Sequence, residues 1–385
     1  MRIFHISDLH IGKMLYRYSL AESQEQVVDQ IVEKMEIYRP DVLVIAGDIF
    51  DKSIPSGEAY GVLDHFLNRL GSLEPAIPVL MIAGNHDSAQ RLSFASEFLE
   101  KHKIYISTMP PQTPEEFLKK ITLEDAYGVV HFYMLPFLKP GYVRNLFPEG
   151  TVTDYTSAVK AVLDREQIDW NERNVLISHQ FYQGSSKVEI CDSEQTVLNI
   201  GGLDKVEASV LEPFDYAALG HLHGAQKVQY EHVRYSGTPL KYSVSEEKHH
   251  KGITLVELKE KGVPPQIQQI SLMADKDVRA IRGTLQEVLD MAGETVCHDY
   301  VSVTLTDEID PLHPKEQLEE RYDALLEVRI DNARTRARLE GEMETRESWT
   351  PAEAFRHFYQ EMNQCPISEQ EETIMKEIFE KAEER

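Results

Sequence analysis

Five short segments of this chain carry side chains that could bind transition-metal ions. Each places an imidazole, carboxylate or amide group directly after a stretch of apolar residues. Oxygen donors mixed with imidazole nitrogens, without cysteine, suit Mn²⁺, Fe²⁺ or Zn²⁺ and argue against a site for Mg²⁺ alone. The segments are Asp8-Leu9-His10, Gly47-Asp48, Gly84-Asn85-His86-Asp87, Ser178-His179 and Gly220-His221-Leu222-His223.

The apolar stretches before these segments predict buried strands that alternate with helices. Residues 20–39 and 57–70 have apolar side chains at helical spacing, and strands are expected after Asp41 and over 79–83. This alternation predicts an α/β fold of stacked β-α units around a mainly buried sheet. Ligands of open α/β sheets bind beyond the carboxyl ends of the strands, so all five segments can converge there.

Local backbone geometry supports this convergence. In an extended segment side chains alternate between two faces, so Asp8 and His10 are expected to point the same way. The glycines at 47, 84 and 220 precede ligand candidates and allow the backbone to turn sharply and approach closely.

The donor types divide into two cation sites that share Asp48, whose carboxylate has two oxygens and a charge that offsets cation repulsion. Two cations about 3.5–4 Å apart clamp the attacking and leaving oxygens of a displacement at phosphorus and activate a water as nucleophile. His86 is not needed as a ligand and is assigned to the scissile phosphate, as donor or general acid. The alternative role for His86 is a hydrogen bond that only supports the ligands. The predicted ligands are Asp8, His10 and His223 for one cation, and Asn85, His179 and His221 for the other.

Composition and charge limit the functions that fit. The net charge of −25 disfavours autonomous DNA binding that resists salt. Residues 285–385 carry 26 acidic and 11 basic side chains, so a DNA enzyme of this composition is expected to need a partner that supplies positive charge. The three cysteines are far apart and odd in number, which fits a reducing cytoplasm. No apolar run approaches the roughly 20 residues of a membrane span, and no secretory signal pattern is recognised.

The chain of 385 residues is expected to hold more than one domain. A change of character near 259–265 predicts a boundary between a first domain at 1–262 and a smaller α+β domain at 265–333. Strand 267–272 is assigned to the sheet of that smaller domain. A charged linker is expected at 334–349.

Two short amphipathic helices are predicted in residues 350–385. Thr350, Pro351 and Glu353 predict the start of the first, and Ser368 with Glu371 predicts the start of the second. The apolar faces need a covering, from the same domain or from another protein. They consist of Phe355, Phe358, Tyr359 and Met362 in the first helix, and Ile374, Met375, Ile378 and Phe379 in the second.

The motifs DLH, GDIFD, GNHD, SHQ and GHLH, in this order, resemble those of the calcineurin-like metallophosphoesterase superfamily. Within it, MRIFHISDLHIGK, GDIFDKSIPS and RYSGTPLKYSVSEE (234–247) resemble the SbcD-type family of DNA double-strand-break repair nucleases. The resemblance implies a four-layer β-sandwich flanked by helices, with a smaller α+β cap domain and a C-terminal helical pair. It also implies Mn²⁺-dependent 3′–5′ exonuclease and endonuclease activity on DNA ends and hairpins, with the ligands above and His86 as the catalytic histidine.

The resemblance further implies partners. Such nucleases act as homodimers bound to an SMC-like ATPase, SbcC. Together the subunits form a heterotetramer that is associated with the nucleoid. The terminal helices of this chain would grip the base of the coiled coil of the ATPase. Some relatives have a second active-site histidine shortly after the bridging aspartate, where this chain has Asp51 and Lys52, so that role is absent here. Loop 182–196 is expected either to contact DNA or to lie in solvent.

Two other functions fit a core of this kind. One is a phosphoesterase that acts on small molecules or proteins, but a phosphoprotein phosphatase more usually has an arginine soon after the bridging aspartate and GNHE in place of GNHD. The predicted cap domain and terminal helices also exceed what a small-molecule enzyme needs. The other is a DNA-end scaffold that does not cut, against which the complete ligand set argues.

Overall fold

The computed structural model describes residues 1–184, 188–192, 194, 204–293, 295–336, 351–363, 365–368 and 370–375. The chain divides into two compact units, one of residues 1–280 with 298–302 and one of residues 281–297 with 303–385. None of the helices in the described ranges is both long enough and apolar enough to cross a membrane.

The strands and helices alternate along most of the first 180 residues. The strands are β1 (Arg2–Ile6), β2 (Met14–Leu15), β3 (Tyr18–Ser19), β4 (Val42–Ala46), β5 (Val79–Ile82), β6 (Ile104–Ser107), β7 (Lys119–Asp125), β8 (Gly128–Leu135), β9 (Arg173–His179), β10 (Phe181–Gln183), β11 (Lys205–Glu207), β12 (Tyr216–Gly220), β13 (Gln226–Val228), β14 (Tyr230–Tyr235), β15 (Gly252–Glu257), β16 (Gln266–Ser271), β17 (Val278–Gly283), β18 (Cys297–Leu305) and β19 (Tyr322–Ile330). The α-helices are α1 (Ala21–Tyr38), α2 (Gly57–Gly71), α3 (Ala89–Leu92), α4 (Ser96–Glu100), α5 (Pro140–Val143), α6 (Tyr155–Arg165), α7 (Leu285–Met291), α8 (Pro314–Glu319) and α9 (Pro351–Asn363).

A six-stranded sheet carries the first three metal-binding segments. Its order is β16-β15-β1-β4-β5-β6, with β1, β4, β5 and β6 parallel and β15 and β16 antiparallel at one side. The assignment of strand 267–272 to a separate sheet was therefore wrong, because β16 pairs with β15 in a hairpin. The turn between them is rich in lysine, glycine and proline. These residues are common both in hairpin turns and in linkers between domains, so composition does not distinguish the two.

A second six-stranded sheet carries the other two segments. Its order is β13-β14-β12-β9-β8-β7, with β8, β9, β12 and β14 parallel and the strands at both edges antiparallel. The periodicity of the residues predicted a mainly buried sheet and the resemblance implied a β-sandwich, and the structure has two sheets that share the buried strands. Apolar periodicity shows that a strand is buried but not which sheet it joins.

The two sheets pack face to face around one hydrophobic core. Ile3, Val42 and Val44 of the first sheet share this core with Phe132 and Val175 of the second. The opposite face of the second sheet packs against α6 through a separate core. On the outer face of the first sheet, the ring of Phe4 contacts Tyr38 at the end of α1. Helices therefore cover both sheets, and the molecule is a mixed α/β protein as predicted.

The second unit contains α7, α8 and much of a three-stranded sheet in the order β17-β18-β19. Thr284 caps α7 in a reciprocal capping box with Glu287, which satisfies backbone N–H groups at the helix start. The helices α7 and α8 accompany the three strands, as expected for an α+β region. Residues 337–350, which include most of the expected linker, lie outside the described ranges.

Candidate metal centre

All five predicted segments lie at or just beyond the carboxyl end of a strand. Three follow β1, β4 and β5 of the first sheet, and two lie at the ends of β9 and β12 of the second. Because the two sheets pack against each other, strand ends that are far apart in sequence reach one place. One small cavity is lined by His10, Asp48, Asn85, His86, Glu194, His221 and His223.

Four donor atoms meet on one side of the site. Oδ1 of Asn85 lies 2.9 Å from Nδ1 of His221 and 3.1 Å from Nε2 of His179. Nε2 of His179 lies 3.2 Å from Oδ2 of Asp48. Donors bound to one transition-metal ion at roughly 2.0–2.2 Å are separated by about these distances, so the four groups fit a cation.

His10 occupies the other side of the site in an unusual environment. The residue is 2 % exposed, and neither ring nitrogen has a hydrogen-bond partner among the described residues. Its Nε2 lies 3.8 Å from Oδ2 of Asp48, and its ring centroid lies 5.1 Å from that of His223. A buried imidazole without partners is costly unless it binds a group such as a metal ion. The residues around His10 therefore also fit a cation.

Asp48 belongs to both sides. Its carboxylate and the donor atoms of Asp8 and His179 all lie within 4.8 Å of one another, as do those of Asp48, His10 and His86. Asp8, which was predicted to accompany His10 and His223, has Oδ1 4.0 Å from Nε2 of His179. Asp8 thus lies near a ligand that was predicted for the other cation, and its assignment beside His10 and His223 stays a prediction.

The backbone of the ligand candidates differs from the extended form that was expected for Asp8 and His10. Strand β1 ends at Ile6, and the φ angles of Asp8 and His10 are 53° and 42°. Asp48 and His221 also have positive φ angles, 49° and 113°. Residues other than glycine rarely adopt this region, and such strain is concentrated at functional sites. The side chains converge because the backbone turns sharply and not because it alternates.

Two glycines make the close approach of the loops possible. A Cβ atom on Gly84 would lie 2.1 Å from Oδ1 of Asp48, and one on Gly47 would lie 2.3 Å from Nδ1 of His179. Gly47 also has a φ of +91°. The predicted need for glycine at these two positions is confirmed.

The protonation states of the imidazoles differ across the site. Burial lowers the pKa of His10 well below its usual value and that of His221 to about 3, so both rings are neutral. Burial alone would also lower the pKa of His179, but the carboxylates of Asp48 and Asp8 raise it to about 9. Burial would raise the pKa of Asp48, yet the nearby imidazoles, His179 first, hold it well below its usual range.

His86 is held at the edge of the cavity by its own hydrogen bonds. Its backbone N–H donates to Oδ1 of Asp48 at 2.9 Å, and its Nδ1 lies 2.8 Å from the carbonyl oxygen of Asp51. A carbonyl oxygen only accepts, so Nδ1 carries the proton and Nε2 is unprotonated when the ring is neutral. That Nε2 faces the site, 4.0 Å from Oδ2 of Asp48.

Several residues that contact the site were not singled out by sequence reasoning. Asp87 accepts hydrogen bonds from the backbone N–H groups of Ile49, Phe50 and Gly84, which ties two ligand loops together. Glu194 accepts from the backbone N–H of His223. Asp87 lies within a recognised motif and could have been found there, whereas Glu194 carries no sequence signal.

Glu194 belongs to loop 182–196, which was expected either to contact DNA or to lie in solvent, and the remaining candidates are those of the C-terminal helices. In the helix α9, Phe358 and Met362 are 59 % and 66 % exposed, and Ile374 is 58 % exposed. Phe355 and Tyr359 contact each other at a ring distance of 6.3 Å. Ile378 and Phe379 lie outside the described residues, as does part of loop 182–196, so these predictions stay predictions.

Comparison with known protein families gives two matches. Residues 1–224 match the calcineurin-like phosphoesterase family, and residues 275–363 match a family described as the type 5 capsule protein repressor C-terminal domain.

Curated relatives resemble the chain over most of its length. A protein of Staphylococcus saprophyticus, named as the SbcD component of nuclease SbcCD, is 33% identical over 75% of this chain and 73% of its own length. A protein of the same name from Staphylococcus epidermidis is 35% identical over 67% of this chain and 66% of the length of that protein. The solved structure of a dimetal phosphatase from Danio rerio is 15% identical, with a TM-score of 0.35 over 70% of this chain and 99% of the other. So low a score decides nothing about the fold.

Proposed function

Because the chain belongs to the calcineurin-like phosphoesterase family and is related to the SbcD component of nuclease SbcCD, we propose that it hydrolyses DNA phosphodiester bonds as the nuclease subunit of an SbcCD-type complex. The observation that carries this proposal is the convergence of imidazole, carboxylate and amide donors on Asp48 from the ends of five strands.

This site would hold two divalent cations, with Mn²⁺ as the proposed metal and Fe²⁺ or Zn²⁺ as the alternatives that the donors also suit. Bound cations would activate the attacking water and neutralise charge on the phosphate. Asp48 would contribute to both. The proposed ligands are Asp8, His10 and His223 for one cation and Asn85, His179 and His221 for the other. The neutral state of His10 and His221, and the two unpartnered nitrogens of His10, support this assignment.

His86 is the proposed catalytic residue. The carbonyl of Asp51 fixes its tautomer, so its Nε2 faces the cavity as the atom that exchanges a proton with the leaving group or, when protonated, donates to a phosphate oxygen. Its backbone N–H also fixes Asp48, so the proposed base or acid and the proposed bridging ligand are held in one hydrogen-bonded unit.

The proposed substrates are DNA ends and hairpins, cut by 3′–5′ exonuclease and endonuclease steps. The proposed partner is the SMC-like ATPase SbcC. It would bind a homodimer of this chain to form a heterotetramer, located in the cytoplasm at the nucleoid. The net charge of −25 supports the need for a partner that attracts DNA. The exposed apolar side chains of α9 support residues 350–385 as the attachment to the ATPase.

The decisive experiment assays the purified protein with Mn²⁺, with and without the ATPase, on linear duplex DNA, hairpin DNA and a small phosphodiester. We expect cleavage of both DNA substrates and loss of cleavage with EDTA. Hydrolysis of the small phosphodiester alone would show a phosphoesterase that is not a nuclease. Tight binding of DNA ends without cleavage in any metal would show a scaffold.

A further inference from the structure

The segment from Ser236 to Lys251, called here the support segment, lies between β14 and β15 and supplies none of the proposed ligands. It nevertheless packs around one part of the metal centre. A short 3-10 helix, Val244–Glu246, ends at a glutamate that is fully buried although it carries a charge. Charged side chains are almost never fully buried unless they are paired, so the partners of Glu246 indicate its purpose.

The first partner of Glu246 is the ring of His223. Nδ1 of His223 lies 3.0 Å from Oε1 of Glu246. A carboxylate only accepts hydrogen bonds, so Nδ1 donates its proton and, when the ring is neutral, Nε2 is the unprotonated nitrogen. This contact therefore selects one tautomer of His223 and fixes the rotation of the ring.

Glu246 is itself held from three directions. Nζ of Lys251 lies 2.6 Å from Oε2, and the hydroxyl groups of Thr238 and Ser243 donate to the carboxylate at 3.3 and 3.1 Å. Lys251 also donates to the backbone carbonyl of His223 at 3.0 Å. The ammonium of Lys251 offsets the carboxylate charge, and together the two side chains bind both the ring and the backbone of His223.

The support segment also reaches the other two proposed ligands of the same cation, His10 directly and Asp8 through Ser7. The ring of Tyr242 meets the ring of His10 edge-on, with centroids 5.6 Å apart. The hydroxyl oxygen of Ser236 lies 2.7 Å from that of Ser7, which donates to the Asp8 carboxylate.

The ligands of the second cation are supported from elsewhere. Nδ1 of His179 donates to the carbonyl of Ala46 at 2.7 Å, in the loop that leads to Asp48. Asn85 bonds to His179 and His221 themselves. Among the described contacts, the carboxylate of Glu246 touches His223 and no proposed ligand of the second cation.

From these contacts we propose that Glu246, backed by Lys251, is a positioning residue that presents Nε2 of His223 to one of the two cations and leaves the other cation unaffected. This inference rests on the proposed function, because it takes His223 as a metal ligand. A hydrogen-bonded carboxylate orients a ligating imidazole and strengthens it as a donor, and loss of such a partner typically lowers metal affinity by about 10–100-fold.

The test titrates Mn²⁺ into the metal-free full-length protein and follows free Mn²⁺ by electron paramagnetic resonance. We expect wild type to bind two ions. In Glu246→Gln we expect the affinity for one Mn²⁺ ion to fall by about 10–100-fold and the affinity for the other to stay unchanged. The matched control is Glu172→Gln, which makes the same change beside His131 in the second sheet and should bind both ions like wild type.

A second readout needs no change at Glu246 and so does not depend on the folding of that variant. In ¹⁵N NMR spectra of metal-free wild type, recorded at a pH high enough for the ring to be neutral and with His223 assigned from the signal missing in His223→Gln, we expect Nδ1 to be protonated and Nε2 not. A ring protonated on Nε2 alone would overturn the inference.

The His223→Gln variant separates the two levels of the argument. If it binds both Mn²⁺ ions like wild type, His223 is not a ligand and the proposed ligand set fails. If His223→Gln lowers the affinity for one Mn²⁺ ion while Glu246→Gln lowers the affinity for neither, the ligand set stands and the inference about Glu246 is wrong. If both variants lower the affinity for the same ion, and the double variant binds that ion as tightly as His223→Gln does, Glu246 acts through His223.

Discussion

Nε2 of His179 lies 3.2 Å from Oδ2 of Asp48, and both side chains are buried between the two sheets. Without a cation, this contact is a buried imidazolium–carboxylate pair, because the carboxylates raise the pKa of His179 to about 9. A cation that binds both groups must displace the proton that now holds them together.

Metal binding is therefore expected to release a proton at neutral pH. Below the His179 pKa of about 9, the apparent Mn²⁺ affinity should fall by about tenfold for each unit of decreasing pH, because one bound proton competes with the cation. Isothermal titration calorimetry in buffers of different ionisation enthalpy measures the protons released. An identical binding enthalpy in all buffers at pH 7.5 would contradict the prediction.

His86→Gln should separate metal binding from catalysis. The variant keeps the backbone N–H that donates to Asp48, so both Mn²⁺ ions should bind as in wild type. It loses the imidazole that exchanges a proton with the substrate, so cleavage of duplex DNA should fall by about 10²–10⁴-fold. The control is His65→Gln, which changes a partly exposed ring paired with Asp29. It should leave both Mn²⁺ binding and DNA cleavage unchanged. Loss of Mn²⁺ binding in His86→Gln would instead make His86 a ligand.

Gly84→Ala should damage the site without a change of charge. Its Cβ atom would lie 2.1 Å from Oδ1 and 2.4 Å from the backbone nitrogen of Asp48, so the loop must shift and displace Asn85. We expect Mn²⁺ affinity to fall by about tenfold or more. Gly61→Ala in α2 is the matched control, because nothing lies within 4 Å of its Cβ position. It should bind Mn²⁺ normally and raise the free energy of unfolding by about 0.5–1 kcal/mol.

His5 should make the stability depend on pH. Burial lowers the pKa of its ring to about 3, while Nδ1 lies 2.8 Å from the Tyr216 hydroxyl. In the unfolded chain the ring binds a proton below a pKa of about 6.5, so the free energy of unfolding falls as the pH falls from 6.5 toward 3. In His5→Gln this decrease should be smaller by up to about 1.4 kcal/mol per pH unit. Urea unfolding in EDTA at several pH values tests it, and equal slopes would refute it.

Phe358→Glu should weaken binding to the ATPase without a loss of nuclease activity. Phe358 is 59 % exposed on α9, and a charge there opposes burial against an apolar partner. We expect affinity in a pull-down to fall by about tenfold or more. Ile309→Glu changes a side chain that is 86 % exposed in the same unit and is the matched control. Truncation before Thr350 should have the same effect as Phe358→Glu, and unchanged association would assign the helices another purpose.

The strand-end location of the ligand candidates was predictable, because buried strands of apolar residues stand out from the turns that follow them. The two-sheet arrangement was implied by the family resemblance, but the periodicity of the residues could not show it. Val44 and Val175 both read as buried strand residues, and only the three-dimensional structure shows that they belong to different sheets with a shared core. The assignment of strand 267–272 to a separate sheet failed for a related reason, since β16 pairs with β15 in a hairpin.

Within the site, the sequence predicted which residues are ligand candidates, but it did not predict which residues form hydrogen bonds to them. The motifs name Asp48, His179 and His223 by their spacing after strands. Glu194 and Glu246 reach His223 from 29 and 23 positions away in the sequence, and no periodic pattern links such pairs. Tertiary hydrogen bonds of this kind depend on the path of the chain between the two residues.

The positive φ angles of Asp8, His10, Asp48 and His221 set a limit on engineering this protein. At His10, whose ring nitrogens have no hydrogen-bond partner among the described residues, replacement by glycine would relieve backbone strain without breaking a side-chain hydrogen bond. A screen that selects only for survival on heating would therefore retain inactive clones at this position. Selection for a heat-resistant enzyme of this type has to retain an activity step in every round.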